Sequence, residues 1–170
     1  MKQQIRQTRY WIIFFMIILF LSGLTAIPLE WELSFLSRCF HVSTPVGAWI
    51  DKVYIALVDT NRNYPFLAYG YDWLAFAHFV LAILFIGPLR DPVKNKWVIE
   101  FAMIACVLII PFAFIAGHYR GIPVGWRLID CAFGLVGLVP LGICLLRIRM
   151  IEKFNNRHSL HEVNALGAHA

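Results

Sequence analysis

Apolar residues along the chain gather into four long runs, separated by polar turns and by one long polar segment. The runs cover residues 10–28, 73–89, 97–117 and 124–146, and Gly87 with Pro88 closes the second one. The first run holds 19 residues, which rise about 28 Å as an α-helix, close to one bilayer core. The pattern predicts an all-α integral membrane protein, a four-transmembrane-helix bundle forming a single membrane domain over residues 1–170.

Lysine and arginine residues are distributed unevenly between the two sides of these spans. Ten of the fifteen flank the N-terminus, the turn at 90–96 and the polar tail at 147–170, whereas five are spread over far more chain on the other side. Because the richer side is cytoplasmic, we predict a multi-pass protein of the bacterial inner membrane with both termini in the cytoplasm. The basic residues flank apolar runs and form no stripe on a soluble face, so nucleic acid is not an expected partner.

The outer loop at 29–71 is patterned and predicts two short amphipathic helices. Thr44 and Pro45 supply a capping hydroxyl and a first-turn proline. Apolar residues then recur at helical spacing, namely Val46, Trp49, Ile50, Val53, Tyr54 and Leu57. Residues 29–40 have a similar pattern, with aromatic side chains as the apolar surface. We expect both helices to lie at the outer membrane interface, either as a lid over the helix ends or as a cover for a site or partner surface.

Ionisable residues within or beside the spans cluster at the outer side, and such residues are costly in a membrane and tend to mark function. They are Asp72 at the mouth of the second span, His78 within it, His118 and Arg120 in the loop before the fourth span, and Arg127 and Asp130 within the fourth span. We take these six as candidate ligand-binding residues.

The spacing within the fourth span orients this cluster. Arg127, Asp130, Gly134 and Gly137 share one helix face, and the glycines allow another backbone to approach it. His78 at similar depth is a natural partner for Asp130. In the structural alternative, Arg127 and Asp130 neutralise each other and His78 bonds to a carbonyl.

The chemistry of the cluster favours binding over catalysis. Arg120 and Arg127 suit a phosphate or carboxylate headgroup. No nucleophile stands with a base and an orienting group, so we assign no catalytic residue, no metal ligand and no cofactor, and an enzyme is the less favoured interpretation.

Two pairings lie outside the cluster. Glu100 stands close to Lys94 and Lys96 in the sequence, and we expect a local ion pair there. Cys39 and Cys131 both fall toward the outer side, which leaves a disulfide open.

Three segments that hold most of the candidate ligand-binding residues resemble a group of bacterial four-span membrane proteins. The resemblance is carried by residues 64–78, 87–92 and 120–130. No activity carries over from that group.

A more distant resemblance is to the VanZ-like family, which is linked to glycopeptide resistance and envelope biology. Asp72 with His78 looks like one motif of that family, and Arg127 and Asp130 with the two glycines that follow look like another. The chain departs from the family in its longer aspartate–histidine gap and in having Phe133 before the first glycine.

Three functions follow as hypotheses. The first is a cell-envelope protein that binds a lipid or anionic ligand at the outer cluster. The second is a non-catalytic accessory subunit that docks on a larger complex, as a homo- or hetero-oligomer. The third is a haem or quinone carrier using His78 and His118, since bis-histidine ligation needs two imidazoles facing one pocket.

Overall fold

The computed structural model describes the backbone of residues 2–167 and the side chains of residues 3–155 and 157. The described chain is almost entirely helical and contains no strand. Its elements are α1 (Lys2–Ala26), α2 (Leu29–Cys39), α3 (Pro45–Asn63), a 3₁₀ turn (Pro65–Ala68), α4 (Tyr69–Leu84), α5 (Ile86–Arg90), α6 (Lys96–Tyr119) and α7 (Val124–Gly167).

Four stretches of these helices are long and apolar enough to cross a membrane, which confirms the all-α, four-span class. They are Gln3–Ala26, Pro65–Arg90, Lys96–Tyr119 and Val124–Asn155. Large apolar side chains point outward along them; Phe112 of α6 and Phe133 of α7 are 72% and 71% exposed. Such exposure is the expected arrangement when lipid, and not water, surrounds the helices.

The residues divide into two compact units, of which the first runs to Met16 and resumes at Leu84. Its centre is the antiparallel pair α6 and α7. A Cβ built at Gly134 would lie 2.5 Å from the carbonyl oxygen of Cys106, so the two backbones approach as closely as small-residue membrane interfaces allow. The buried Thr8 of α1 packs against α7, and its carbonyl oxygen accepts from Cys144 Sγ at 3.7 Å.

At the start of α6, Lys96 forms ion pairs with a carboxylate of its own helix and with one of α7. Lys96 Nζ lies 3.1 Å from Glu152 and 3.9 Å from Glu100. The expected pairing of Glu100 is therefore confirmed for Lys96, whereas Lys94 pairs with Asp91 of its own turn.

The second unit, Ile17–Ile83, contains the long loop at 29–71 as a helical hairpin. Ser37 of α2 donates to Asp51 of α3 at 3.0 Å, and Asn61 of α3 donates to Glu30 at 2.9 Å. Tyr71 at the start of α4 donates to the same Asn61. The hairpin is thereby joined to the entry of the second span.

Both loop helices form as predicted, and only the apolar face of α3 is more covered than expected. Thr44 caps α3, accepting from the Gly47 N–H at 3.0 Å. On α3 the predicted apolar face is partly covered, with Ile50 buried. The exposed aromatic surface belongs to α2, where Trp31 and Phe35 are 71% and 57% exposed and stack on each other.

Three boundaries differ from the sequence prediction. The second span runs from Pro65 to Arg90, so it begins earlier than the predicted residue 73 and ends one residue after the predicted residue 89. Pro88 falls in the first turn of α5, where an N–H has no helical partner to lose. His118 lies in the last turn of α6 and not in a loop. The polar tail continues α7 as helix to Gly167.

The disulfide that the sequence left open does not form, since all four cysteines are free thiols and Cys39 is exposed.

Candidate functional site

The turn between α6 and α7 is a compact helix stop closed by backbone hydrogen bonds. The Ile122 N–H donates to the Gly117 carbonyl at 2.9 Å, and the Gly121 N–H donates to the His118 carbonyl at 3.2 Å. Gly121 has φ +66°, the left-handed conformation that this stop requires and that glycine adopts without a steric penalty. Residues 120–123 therefore hold the two helix ends in a defined geometry.

Arg127 reaches back from α7 onto this turn. Its Nε donates to the Ile122 carbonyl at 2.8 Å. Its aliphatic stem lies over Gly117, where an added Cβ would come within 2.7 Å of Arg127 Cδ. Within the described part of the chain, the terminal nitrogens Nη1 and Nη2 have no hydrogen-bond partner. The guanidinium is thus oriented through one nitrogen while two remain available.

The other charged side chains near this turn, those of Arg120 and Asp130, also form no hydrogen bond or ion pair with described residues. Arg120 caps the end of α6 and is exposed. Asp130, half-buried, lies one turn along α7 from Arg127, and the described side chains include no partner for it. His118 is exposed, with its ring against the edge of Tyr119.

Asp72 and His78 both lie on α4, in the second unit. Asp72 sits in the first turn of the helix, where a carboxylate is favoured by the helix dipole, at a shallow groove of about 240 Å³ that Trp73 also lines. His78 Nδ1 lies 2.8 Å from the Leu74 carbonyl oxygen. Since a carbonyl only accepts, Nδ1 carries the proton, and in the neutral ring Nε2 is left as an acceptor.

The first group of predicted site residues lies in the first unit, at the adjoining ends of α6 and α7. It comprises His118, Arg120, Arg127 and Asp130, and their role as one ligand site stays a prediction. The neutralisation of Asp130 by Arg127 is wrong, because Arg127 turns to the Ile122 carbonyl and forms no ion pair with the described carboxylates.

The second group lies on the other unit. The carbonyl bond of His78 is confirmed. Because His78 belongs with Asp72 to the second unit, its pairing with Asp130 stays a prediction. The haem or quinone alternative, which needs His78 and His118 at one pocket, stays a prediction as well.

The arrangement at the α6–α7 turn suits an oxyanion. An arginine presents parallel N–H donors in a plane that matches a carboxylate or phosphate, and fixing it beforehand lowers the entropic cost of binding. Arg120 adds a second cation from the helix end.

Sequence reasoning missed two residues that shape this site, Gly117 and Ile122. Gly117 provides the space for the arginine stem, and Ile122 provides the carbonyl that orients it. A signal for the turn was present, since Gly121 followed by Pro123 is a typical helix stop, but nothing local identified which donor would meet the Ile122 carbonyl.

Comparison of the chain with protein-family models, with curated proteins and with solved structures finds no match. The VanZ-like resemblance therefore stays a prediction, and the chemistry of the α6–α7 turn is the basis for a function.

Proposed function

We propose that this protein binds an anionic headgroup, most directly that of a membrane lipid, at the α6–α7 turn. The observation that carries the proposal is the oriented Arg127, whose Nε is bonded to Ile122 while its two terminal nitrogens have no partner among the described residues. Arg120 caps the end of α6, and Arg127 reaches back onto the same turn from α7. Two cations therefore belong to one helix end, which favours an anionic ligand.

The wider setting is part of the same proposal. The distribution of basic residues favours a bacterial inner membrane with both termini in the cytoplasm. In that orientation the α6–α7 turn lies on the outer side, as in a cell-envelope protein. The exposed Trp31 and Phe35 of α2 support an interfacial position for the α2–α3 hairpin, because aromatic side chains are favoured at the headgroup level.

The test uses the full chain purified in mild detergent and titrated with dioctanoyl phosphatidylglycerol, with bound lipid counted by native mass spectrometry. Arg127→Gln is expected to lower the affinity for one bound lipid at least about tenfold, because a charge-assisted contact is lost. Arg127→Lys is expected to be intermediate, because an ammonium keeps the charge but lacks the planar fork.

Two further variants keep the result interpretable. Arg120→Gln alters a side chain with no described contacts, so it is expected to lower the affinity for phosphatidylglycerol without disturbing the fold. Arg62→Gln, an exposed arginine at the end of α3, is the matched control and is expected to bind as the unaltered protein does. If Arg120→Gln and Arg127→Gln both bind like Arg62→Gln, the proposal fails.

A further inference from the structure

A cavity lies at the opposite end of α6 from the α6–α7 turn. It has a volume of about 360 Å³ and is formed where α1 begins, where α5 passes into α6, and where α7 leaves its apolar stretch. The 24 residues of α6 separate the two ends by about 36 Å. The cavity is therefore distinct from the turn that holds Arg127.

The rim of this cavity is basic. Arg9, Arg90 and Lys94 line it, with Asp91 as the one carboxylate among its lining residues. Arg9 is held in position, since its Nη2 donates to the Arg90 carbonyl at 3.0 Å. Asp91 accepts from the Lys94 N–H at 3.0 Å and lies 3.8 Å from Lys94 Nζ in an exposed ion pair. The Arg90 guanidinium has no partner among the described residues.

The interior of the cavity is apolar. Ile5 of α1 and Val93 of the turn line it together with Ile151 of α7, which is 3% exposed. A basic rim above an apolar wall at the end of membrane spans matches a phospholipid, whose phosphate carries the charge and whose upper acyl chains are apolar. Basic pockets between spans are a recurring form of headgroup site.

We propose that this cavity binds the phosphate of an anionic phospholipid through Arg9, Arg90 and Lys94. A free phosphate would use the same cations but would gain nothing from the apolar wall. The proposal stands independently of the site at Arg127, because no residue is shared.

The test again uses the full chain in mild detergent, with dioctanoyl phosphatidylglycerol, dioctanoyl phosphatidylcholine and inorganic phosphate as separate probes. The variant R90Q/K94Q removes two cations whose side chains fasten no other element. We expect it to bind phosphatidylglycerol about 30-fold more weakly at one site. The matched control is Arg149→Gln, which removes an exposed cation of α7 outside the cavity.

Each outcome decides for or against the lipid site. A loss in R90Q/K94Q with unchanged binding in Arg149→Gln, and weaker binding of phosphatidylcholine, supports it. Unchanged binding in R90Q/K94Q would overturn it, as would equal losses in both variants, which would show only general attraction to a basic surface. Inorganic phosphate binding as tightly as the lipid would overturn the lipid assignment. Because Arg127→Gln leaves these cations intact, failure here and failure at the α6–α7 turn are told apart.

Discussion

The contact between α6 and α7 at Gly134 offers the most direct test of the packing. Replacing Gly134 with alanine puts a methyl group 2.5 Å from the Cys106 carbonyl oxygen. That oxygen belongs to the helix backbone and cannot turn aside, so the helices must separate. Gly142 lies on the same helix, and a Cβ built there meets nothing within 4 Å.

The comparison of these two glycines isolates the steric cost. Alanine is favoured over glycine in a helix by about 1 kcal/mol at either position. Overpacking at Gly134 costs about 1–3 kcal/mol, whereas Gly142→Ala carries no such cost. Gly134→Ala should therefore be less stable than Gly142→Ala by about 1–3 kcal/mol.

Unfolding by SDS in mixed micelles, followed by circular dichroism, measures this difference as a free energy of unfolding. The free energy of unfolding of Gly142→Ala should equal or exceed that of the unaltered protein. Gly134→Ala should unfold at a lower SDS concentration than Gly142→Ala. Equal stability of the two variants would refute the close approach of α6 and α7 at this point.

Three further changes test other parts of the fold. Lys96→Met removes the contacts to two carboxylates and should lower the free energy of unfolding by about 1 kcal/mol in the same SDS titration, while Lys94→Met, at an exposed pair, should change it little. Gly121→Ala forces alanine into a left-handed conformation and should lower the thermal midpoint, at a cost of about 1 kcal/mol. Thr44→Ala removes the cap of α3, costs about 1 kcal/mol, and should speed amide hydrogen exchange in the first turn of that helix, while Ser43→Ala should not.

Each of these has a contrary result. Equal effects at Lys96 and Lys94 would mean that the part-buried pairing adds nothing. An unchanged midpoint in Gly121→Ala would contradict the helix stop at the α6–α7 turn. Matching exchange rates in the two capping variants would contradict the bond from Gly47 to Thr44.

Local patterns predicted the helices well, because their signals lie within a few residues of each other. The Thr44–Pro45 start of α3 is such a case, as is the glycine face of α7. The atom that Gly134 packs against was not predictable. It is the Cys106 carbonyl oxygen of another helix, and a backbone atom has no distinguishing feature in the sequence.

The partner of Arg127 shows why the site was only partly predictable. Helical spacing suggested Asp130, the nearest carboxylate. The Ile122 carbonyl lies in the turn, outside the helical ladder, and an unsatisfied carbonyl near the membrane is costly. A backbone acceptor of this kind is invisible to reasoning from residue types. Lys96 and Glu152, 56 residues apart, illustrate the same limit for long-range pairs.

The proposed orientation puts the Arg127 turn and the basic cavity on opposite sides of the membrane, with the turn outside. Labelling of intact cells with a membrane-impermeant maleimide tests it, using Arg120→Cys and Lys94→Cys, each in a Cys39→Ser background because Cys39 is the exposed native thiol. We predict that Arg120→Cys reacts in intact cells and that Lys94→Cys reacts only after the membrane is opened. The reverse order, or reaction of both in intact cells, would contradict this orientation.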